Sequence, residues 1–173
     1  FVAAMTWQFK TRRYRAWVYA NEAYVHRISG GRLGYVHIRA MDDDSLRQLQ
    51  ADLDSEAYSK EGIVVDVRFN TGGSVGTYII DILARRSVLL TTFRNRPPVD
   101  AGYFYGNPSL NRPTVLLINE NSISNAEMFA ESYRRLSLGS VVGRPSAGGV
   151  IGTSSYPLID GTIYRLPRIK VAA

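Results

Sequence analysis

The chain has 173 residues, 45% of them hydrophobic and 21% charged, and a formal net charge of +6. That length and balance suit one globular domain able to bury a core without covalent staples. The absence of cysteine excludes disulfides, thiolate metal sites and a cysteine nucleophile, and no apolar run approaches the roughly 20 residues of a membrane-spanning helix.

The first residues, Phe1-Val2-Ala3-Ala4, lack a charged stretch ahead of a long apolar one, so they do not read as a signal peptide. A chain that opens on Phe1 rather than Met is expected to be a piece, or a processed product, of a longer protein. Charge is segregated. Lys10 to Arg39 holds seven basic residues and one acidic, and Asp42 to Glu61 holds seven acidic and two basic. A basic block of this kind can face nucleic acid or an acidic partner. No nucleic-acid motif accompanies it, and a solvated helix face is the reading adopted.

Arg12 to Ile28 places Trp17, Tyr24 and Ile28 near helical spacing, and Gly30-Gly31 stops the pattern, which predicts a leading helix. Leu33 to Ile38 reads as a strand containing Gly34. Asp42-Asp43-Asp44-Ser45 opens a second helix whose Leu46, Leu49 and Leu53 share a face. Gly62 to Val67 is short, β-branched and apolar, as a buried parallel strand should be. After the Gly72-Gly73 turn, Val75 to Leu83 forms a third helix with Ile79, Ile80 and Leu83 as its apolar stripe. Arg94 to Arg112, rich in Pro and Gly, is expected to be a long irregular loop, a type that is often functional. Thr114 to Ile118 is a second buried strand. Asn125 to Leu136 is a helix with Met128, Phe129 and Tyr133 inward. From Ser140 onward short strands are broken by Gly148-Gly149, Gly152 and Gly161. Alternating strands and helices predict an α/β domain with mostly parallel pairing.

Two strand-to-helix junctions carry chemistry. In Asp66-Val67-Arg68-Phe69-Asn70-Thr71-Gly72-Gly73 a strand ends on paired glycines before a helix. Glycine permits positive φ and close approach, and unpaired N–H groups at a helix start can face a phosphate or a developing oxyanion. The spacing matches neither GxGxxG nor the P-loop. In Asn119-Glu120-Asn121-Ser122-Ile123-Ser124-Asn125-Ala126-Glu127 a buried strand delivers Ser124 to the first turn of a helix. Locally, Ser124 with Glu127 also fits a capping box. Parallel strands deliver their carboxyl ends to one edge, so the two junctions can meet. The N–H groups of Gly73 and Asn125 would then form a two-donor oxyanion hole facing the Ser124 hydroxyl, each donor worth about 3 kcal/mol in the transition state.

Asp66-x-Arg68-x-Asn70-x-Gly72-Gly73 with Ser124-x-x-Glu127 resembles the paired signatures of the tail-specific, or C-terminal processing, serine proteases. The chain is more similar still to the tricorn-type core proteases. That likeness runs from Tyr14-Arg15-x-Trp17-Val18 and Tyr24-Val25-His26 through Gly34-Tyr35-Val36-His37-Ile38 and Asp66-Val67-Arg68-Phe69-Asn70. It continues in Leu136-x-Leu138-Gly139 near Val142-Gly143, Gly148-Gly149-Val150-Ile151-Gly152 and Leu158-Ile159-Asp160-Gly161-Thr162.

The resemblance implies an α/β fold of the ClpP/crotonase type, a spiral of ββα units with a mostly parallel sheet and a leading helix. It implies a segment 1–32 that follows a PDZ domain and a catalytic domain over 33–173. Ser124 takes the nucleophile's position, Gly73 and Asn125 those of the oxyanion-hole amides, and Gly72, Gly148 and Gly149 those of substrate contacts. No metal or cofactor is implied. The processing-protease branch uses a lysine base where this chain has Gly149. The tricorn branch uses a histidine ahead of its PDZ domain and a late glutamate, neither matched in these residues; His26 and His37 fall outside the catalytic positions and are read as structural. An acidic specificity residue is expected within Val88-Leu89-Leu90-Thr91-Thr92, which holds no acid, so an apolar or mixed cleavage preference is as open as a basic one. Peptides or unfolded polypeptides are the implied substrates, with a homo-oligomeric assembly, a cytoplasmic or alternatively periplasmic location, and neither nucleic acid nor membrane as partner. Two rivals stay open: a peptide-binding scaffold that keeps the fold without the base, and a crotonase-like acyl-CoA enzyme that uses the paired amides without a serine nucleophile.

Overall fold

The computed structural model describes residues 2–57, 59–106 and 108–172. Its centre is a four-stranded, all-parallel sheet in the order β1-β2-β5-β6, formed by β1 (Leu33–His37), β2 (Gly62–Asp66), β5 (Thr114–Ile118) and β6 (Gly139–Gly143). Every residue of β2 is buried, as expected of a β-branched strand flanked on both sides in a parallel sheet.

Helix α2 (Asp43–Ala57) starts where the Asp42 carboxylate accepts the Ser45 N–H at 2.8 Å, leaving Asp43 and Asp44 in the first turn where the helix dipole favours them. Its Leu49 and Leu53 are buried and Leu46 packs at their margin. Helices α3 (Gly76–Ala84) and α5 (Asn125–Arg135) pack against each other. Val36, Val65 and Leu116 from the sheet meet Leu49, Ile79 and Phe129 from these helices in one apolar core. Phe129 and Tyr133 face inward as expected, whereas Met128 is only half-buried.

Helix α1 covers Val2–Ile28, ten residues more at its start than the apolar spacing indicates. Its inward stripe also differs from the expected Trp17–Tyr24–Ile28. Tyr24 and Ile28 stand 53% and 64% exposed, while Tyr14, Trp17, Val18, Asn21 and Val25 are half-buried. Those five positions keep a period near 3.6 residues. Tyr14 and Trp17 pack on His37 of β1, and Tyr24 instead lies beneath the Arg27 guanidinium.

The expected irregular loop at 94–112 is partly ordered. Strand β3 (Leu90–Thr91) pairs antiparallel with β4 (Val99–Asp100), and a single helical turn α4 (Gly102–Tyr105) follows. The organiser is Asp100, whose carboxylate accepts the Gly102 N–H at 2.9 Å, the Ser109 N–H at 3.0 Å and the Ser109 hydroxyl at 2.6 Å. The Ser109 hydroxyl, then the two amides, hold this carboxyl down at about 2. Strands β7 (Gly152–Pro157) and β8 (Ile163–Ile169) form an antiparallel hairpin in which no residue is buried. Among the described residues no helix is long and apolar enough to cross a membrane.

Candidate active site

The residues after β2 fold into a tightly bonded turn. Asp66 is fully buried and accepts from the Tyr35 hydroxyl at 2.7 Å and from the Arg68 guanidinium at 2.6 Å. Arg68 thus bends back onto the acid two residues before it, and its guanidinium also covers the Trp17 ring. This pair shapes the backbone leaving the strand rather than offering a charge to a ligand. Phe69 follows at φ 65° with its N–H donated to the Asn119 side-chain oxygen at 3.0 Å. Asn70 is completely buried. Its Nδ2 donates to the Ile38 carbonyl and its Oδ1 accepts the Gly72 N–H, both at 2.9 Å.

Gly72 and Gly73 then take φ of +96° and +146°. A Cβ on Gly73 would stand 2.1 Å from the Met41 carbonyl oxygen, so only glycine fits. The Met41 N–H donates to the Gly72 carbonyl at 2.9 Å. In a trans peptide the C=O and N–H point opposite ways, so this bond aims the Gly73 N–H away from Met41. Among the described residues no hydrogen bond engages the N–H of Gly73 or of Asn125.

The serine turn is built in the same way. Ser122 Oγ donates to the Val67 carbonyl at 2.9 Å and accepts the Asn119 N–H at 3.1 Å, fastening the segment after β5 to the end of β2. Ser124, half-buried, adopts φ 59° and ψ −120° at the N-cap of α5, a backbone state that glycine favours and that strains other residues. The Glu127 carboxylate accepts the Ser124 N–H at 2.7 Å, and the Glu127 N–H donates to the Ser124 backbone carbonyl at 2.9 Å. The Asn125 side-chain oxygen accepts the Gly76 N–H at 2.8 Å, joining the first turns of α3 and α5.

The two turns meet. A Cβ on Gly72 would lie 2.8 Å from the Ser124 Cβ, 2.9 Å from the Ile123 carbonyl oxygen and 3.0 Å from the Asn125 nitrogen. Gly72, Gly73, Ser124 and Asn125 therefore occupy one locality although they are far apart in sequence. Gly148 and Gly149 approach it too, but their N–H groups are spent on Glu127, at 2.6 and 3.0 Å, beside the Ser146 hydroxyl at 2.8 Å. Any contact they make with a substrate backbone falls to their carbonyls. Burial pushes the Glu127 carboxyl up, but its four hydrogen-bond donors outweigh that and hold it below the usual carboxylate range. Glu127 is an ionised clamp, and this double role over 146–149 is invisible in the S-x-x-E pattern.

Neither histidine faces this site free-handed. His37 is buried, bonds the Arg68 carbonyl through Nε2 at 2.9 Å, and meets the Tyr14 hydroxyl through Nδ1 at 2.9 Å. Donation from Nε2–H makes Nδ1 the acceptor for Tyr14. Burial, reinforced by Arg68 and Arg39, pushes the imidazole below its ordinary 6.5 against the opposing pull of the Arg68 carbonyl and Asp66. His26 pairs with Glu56 at 3.0 Å. With Glu22 these two form the one group among the described residues whose ligand atoms, all within 4.8 Å, could hold a metal ion. It lies between α1 and α2 and contains none of the residues of the two turns. Two hollows, of about 250 and 530 Å³, likewise exclude Ser124, Gly72 and Gly73. In the segment expected to carry specificity, Val88, Leu89 and Leu90 stand 86%, 68% and 66% exposed.

The parallel sheet thus delivers a strained serine and a glycine turn to the carboxyl ends of its strands, where open α/β sheets build their sites. The sequence matches peptidase family S41 over residues 32–172, and the chain belongs to that family. It is 40% identical over 157 residues to tricorn protease homolog 1 of Streptomyces coelicolor, which covers 90% of this chain and 14% of that protein. It is 36% identical over 156 residues to the tricorn protease of Thermoplasma volcanium, covering 90% of this chain and 15% of that one. The crystal structure of the tricorn protease superposes with a TM-score of 0.77 at 35% identity, covering 90% of this chain and 15% of that one. A photosystem II D1 C-terminal processing protease, at 22% identity and a TM-score of 0.55 over 78% of this chain and 36% of that one, shares the fold. The architecture is the ClpP/crotonase-like α/β fold that the motifs imply. The chain spans about one-seventh of the length of these two tricorn relatives.

Proposed function

We propose that this chain carries the nucleophile-bearing part of a serine peptidase site, and that the protein hydrolyses peptide bonds in oligopeptides or unfolded polypeptides. The observation that carries this reading is the packing of Gly72 against Ser124 and Asn125, which brings the glycine turn and the serine turn together and so supports a serine hydroxyl facing the two amides. Ser124 Oγ attacks the scissile carbonyl carbon, and the Gly73 and Asn125 N–H groups receive the oxyanion. The C–N bond breaks, the serine proton passes through a base to the leaving amine, and water hydrolyses the acyl-enzyme. The base is a histidine from a segment outside these residues or from another subunit, since His26 and His37 are both engaged elsewhere.

In this reading residues 1–32 form a leading segment and 33–173 the catalytic domain, a division supported by the family match beginning at residue 32. Gly72, Gly148 and Gly149 line the path of the substrate backbone. The apolar Val88–Leu90 run supports an apolar or mixed cleavage preference. A cytoplasmic homo-oligomer is the assembly the tricorn likeness favours. The test is fluorophosphonate labelling of the full-length protein. Wild type labels at Ser124, and Ser124→Ala abolishes both labelling and peptide turnover. Equal labelling of the two proteins removes the assignment, and thioester turnover that survives Ser124→Ala replaces it with a crotonase-like one.

A further inference from the structure

Resting on the reading of Ser124 as nucleophile, we infer that Asn70 is the positioning residue that sets the oxyanion donors and the nucleophile in one register. Its side chain is fully buried, and three of its bonds reach three separate segments of the chain. Oδ1 accepts the Gly72 N–H at 2.9 Å. Nδ2 donates to the Ile38 carbonyl at 2.9 Å, just beyond β1. The backbone carbonyl accepts the Ile123 N–H at 2.9 Å, the residue immediately before Ser124. One residue therefore grips the glycine turn with its side chain and the serine turn with its main chain.

The consequence is directional. Gly72 is held from two sides, its N–H by Asn70 Oδ1 and its carbonyl by the Met41 N–H. With both ends of Gly72 fixed, the next peptide plane has one orientation, and the Gly73 N–H projects away from Met41. Glycine at φ of +96° and +146° has broad conformational freedom of its own, so without the Asn70 bond the turn samples other states and the donor is lost for part of the time. A buried amide bonded through both its oxygen and its nitrogen is held rigidly, and removing it leaves its partners unsatisfied. Asn70 touches neither substrate nor reacting atoms; it acts through Gly72, Gly73 and Ile123.

The test compares Asn70→Ala, Asn70→Asp and the core control Leu116→Ala in the full-length protein, with Ser124→Ala alongside. Asn70→Ala should lower kcat on a peptide substrate by about 10²-fold, the loss typical of one oxyanion donor, with KM changed less than about threefold. Asn70→Asp keeps the acceptor for the Gly72 N–H and should recover part of kcat at a pH where the buried acid is protonated, giving a pH profile that wild type lacks. Leu116→Ala destabilises the same sheet and should leave kcat near wild type below its melting range. If Asn70→Ala keeps wild-type kcat while Ser124→Ala abolishes turnover, the positioning role fails and the nucleophile stands. If Leu116→Ala lowers kcat as much as Asn70→Ala does, the effect is general destabilisation and the positioning role fails. If Ser124→Ala retains turnover, the reading of the site itself fails.

Discussion

Ser124 at φ 59° and ψ −120° occupies a backbone state that costs a non-glycine residue on the order of 1–3 kcal/mol. It persists because its neighbours are fixed independently: the Ile123 N–H on Asn70, the Ser124 N–H on Glu127, and Ser122 on Val67. The strain turns the serine off the line of the strand, as at the sharp strand-to-helix turn of α/β hydrolases. Gly72 completes the fit from the other side, and its tolerance is small. In Gly72→Ala the added Cβ meets the Ser124 Cβ at 2.8 Å on a backbone at φ +96°. Gly72→Ala should reduce the rate of fluorophosphonate labelling at Ser124 by roughly 10²-fold or more, a misplacement effect, while the protein still folds. Wild-type labelling rates in that variant would mean that the two turns do not share a locality. Ser124 and Gly73 are singled out by sequence pattern, and Asn70 stands in the same motif, but the bonds that Asn70, Asn119 and Ser122 make are not written there. Their side chains bond residues 32 to 55 positions away, and no local window contains both partners.

At the scale of elements, α1 is tied to the glycine turn through His37. Tyr14 and Trp17 pack on the imidazole, His37 Nε2 bonds the Arg68 carbonyl, and Arg68 lies two residues before Asn70. Because burial lowers the folded pKa of His37 below 6.5, protonation favours the unfolded chain. Its contribution to stability is complete above about pH 6.5 and is lost as pH falls through the depressed folded value. Chemical denaturation at pH 8 and pH 5 should show a loss of stability at pH 5 that is smaller in His37→Gln. An equal pH dependence in both proteins would place the titration elsewhere. The sequence signals located α3, α5 and β5, and the start of α2, to within a residue or two, since each carries its own periodicity or start signal. They misplaced the inward face of α1, whose aromatic residues line more than one side, and missed β4 and α4, which depend on a single Asp100 carboxylate reaching Ser109.

At the scale of the whole molecule, stability is uneven. The four-stranded sheet is packed into one core, whereas the β7–β8 hairpin leaves Ile163, Tyr164 and Ile169 more than half exposed. An isolated two-stranded hairpin is marginal in water. Hydrogen exchange on this chain should therefore show β7 and β8 amides exchanging at least about 100-fold faster than those of β2 and β5, which open only with global unfolding. Equal protection would indicate that the hairpin is held by more than its own ladder.

By itself the sequence determined the α/β class, the buried strands, the two junctions and the family, because apolar periodicity, glycine pairs and short motifs are written in neighbouring residues. Only the tertiary structure decided that Gly72 abuts Ser124, that Gly148 and Gly149 give their amides to Glu127, and that both histidines already have partners, His26 in Glu56 and His37 in Tyr14 and the Arg68 carbonyl. These are contacts between segments distant along the chain, and the packing of strands in the sheet, rather than any local preference, fixes which of them form.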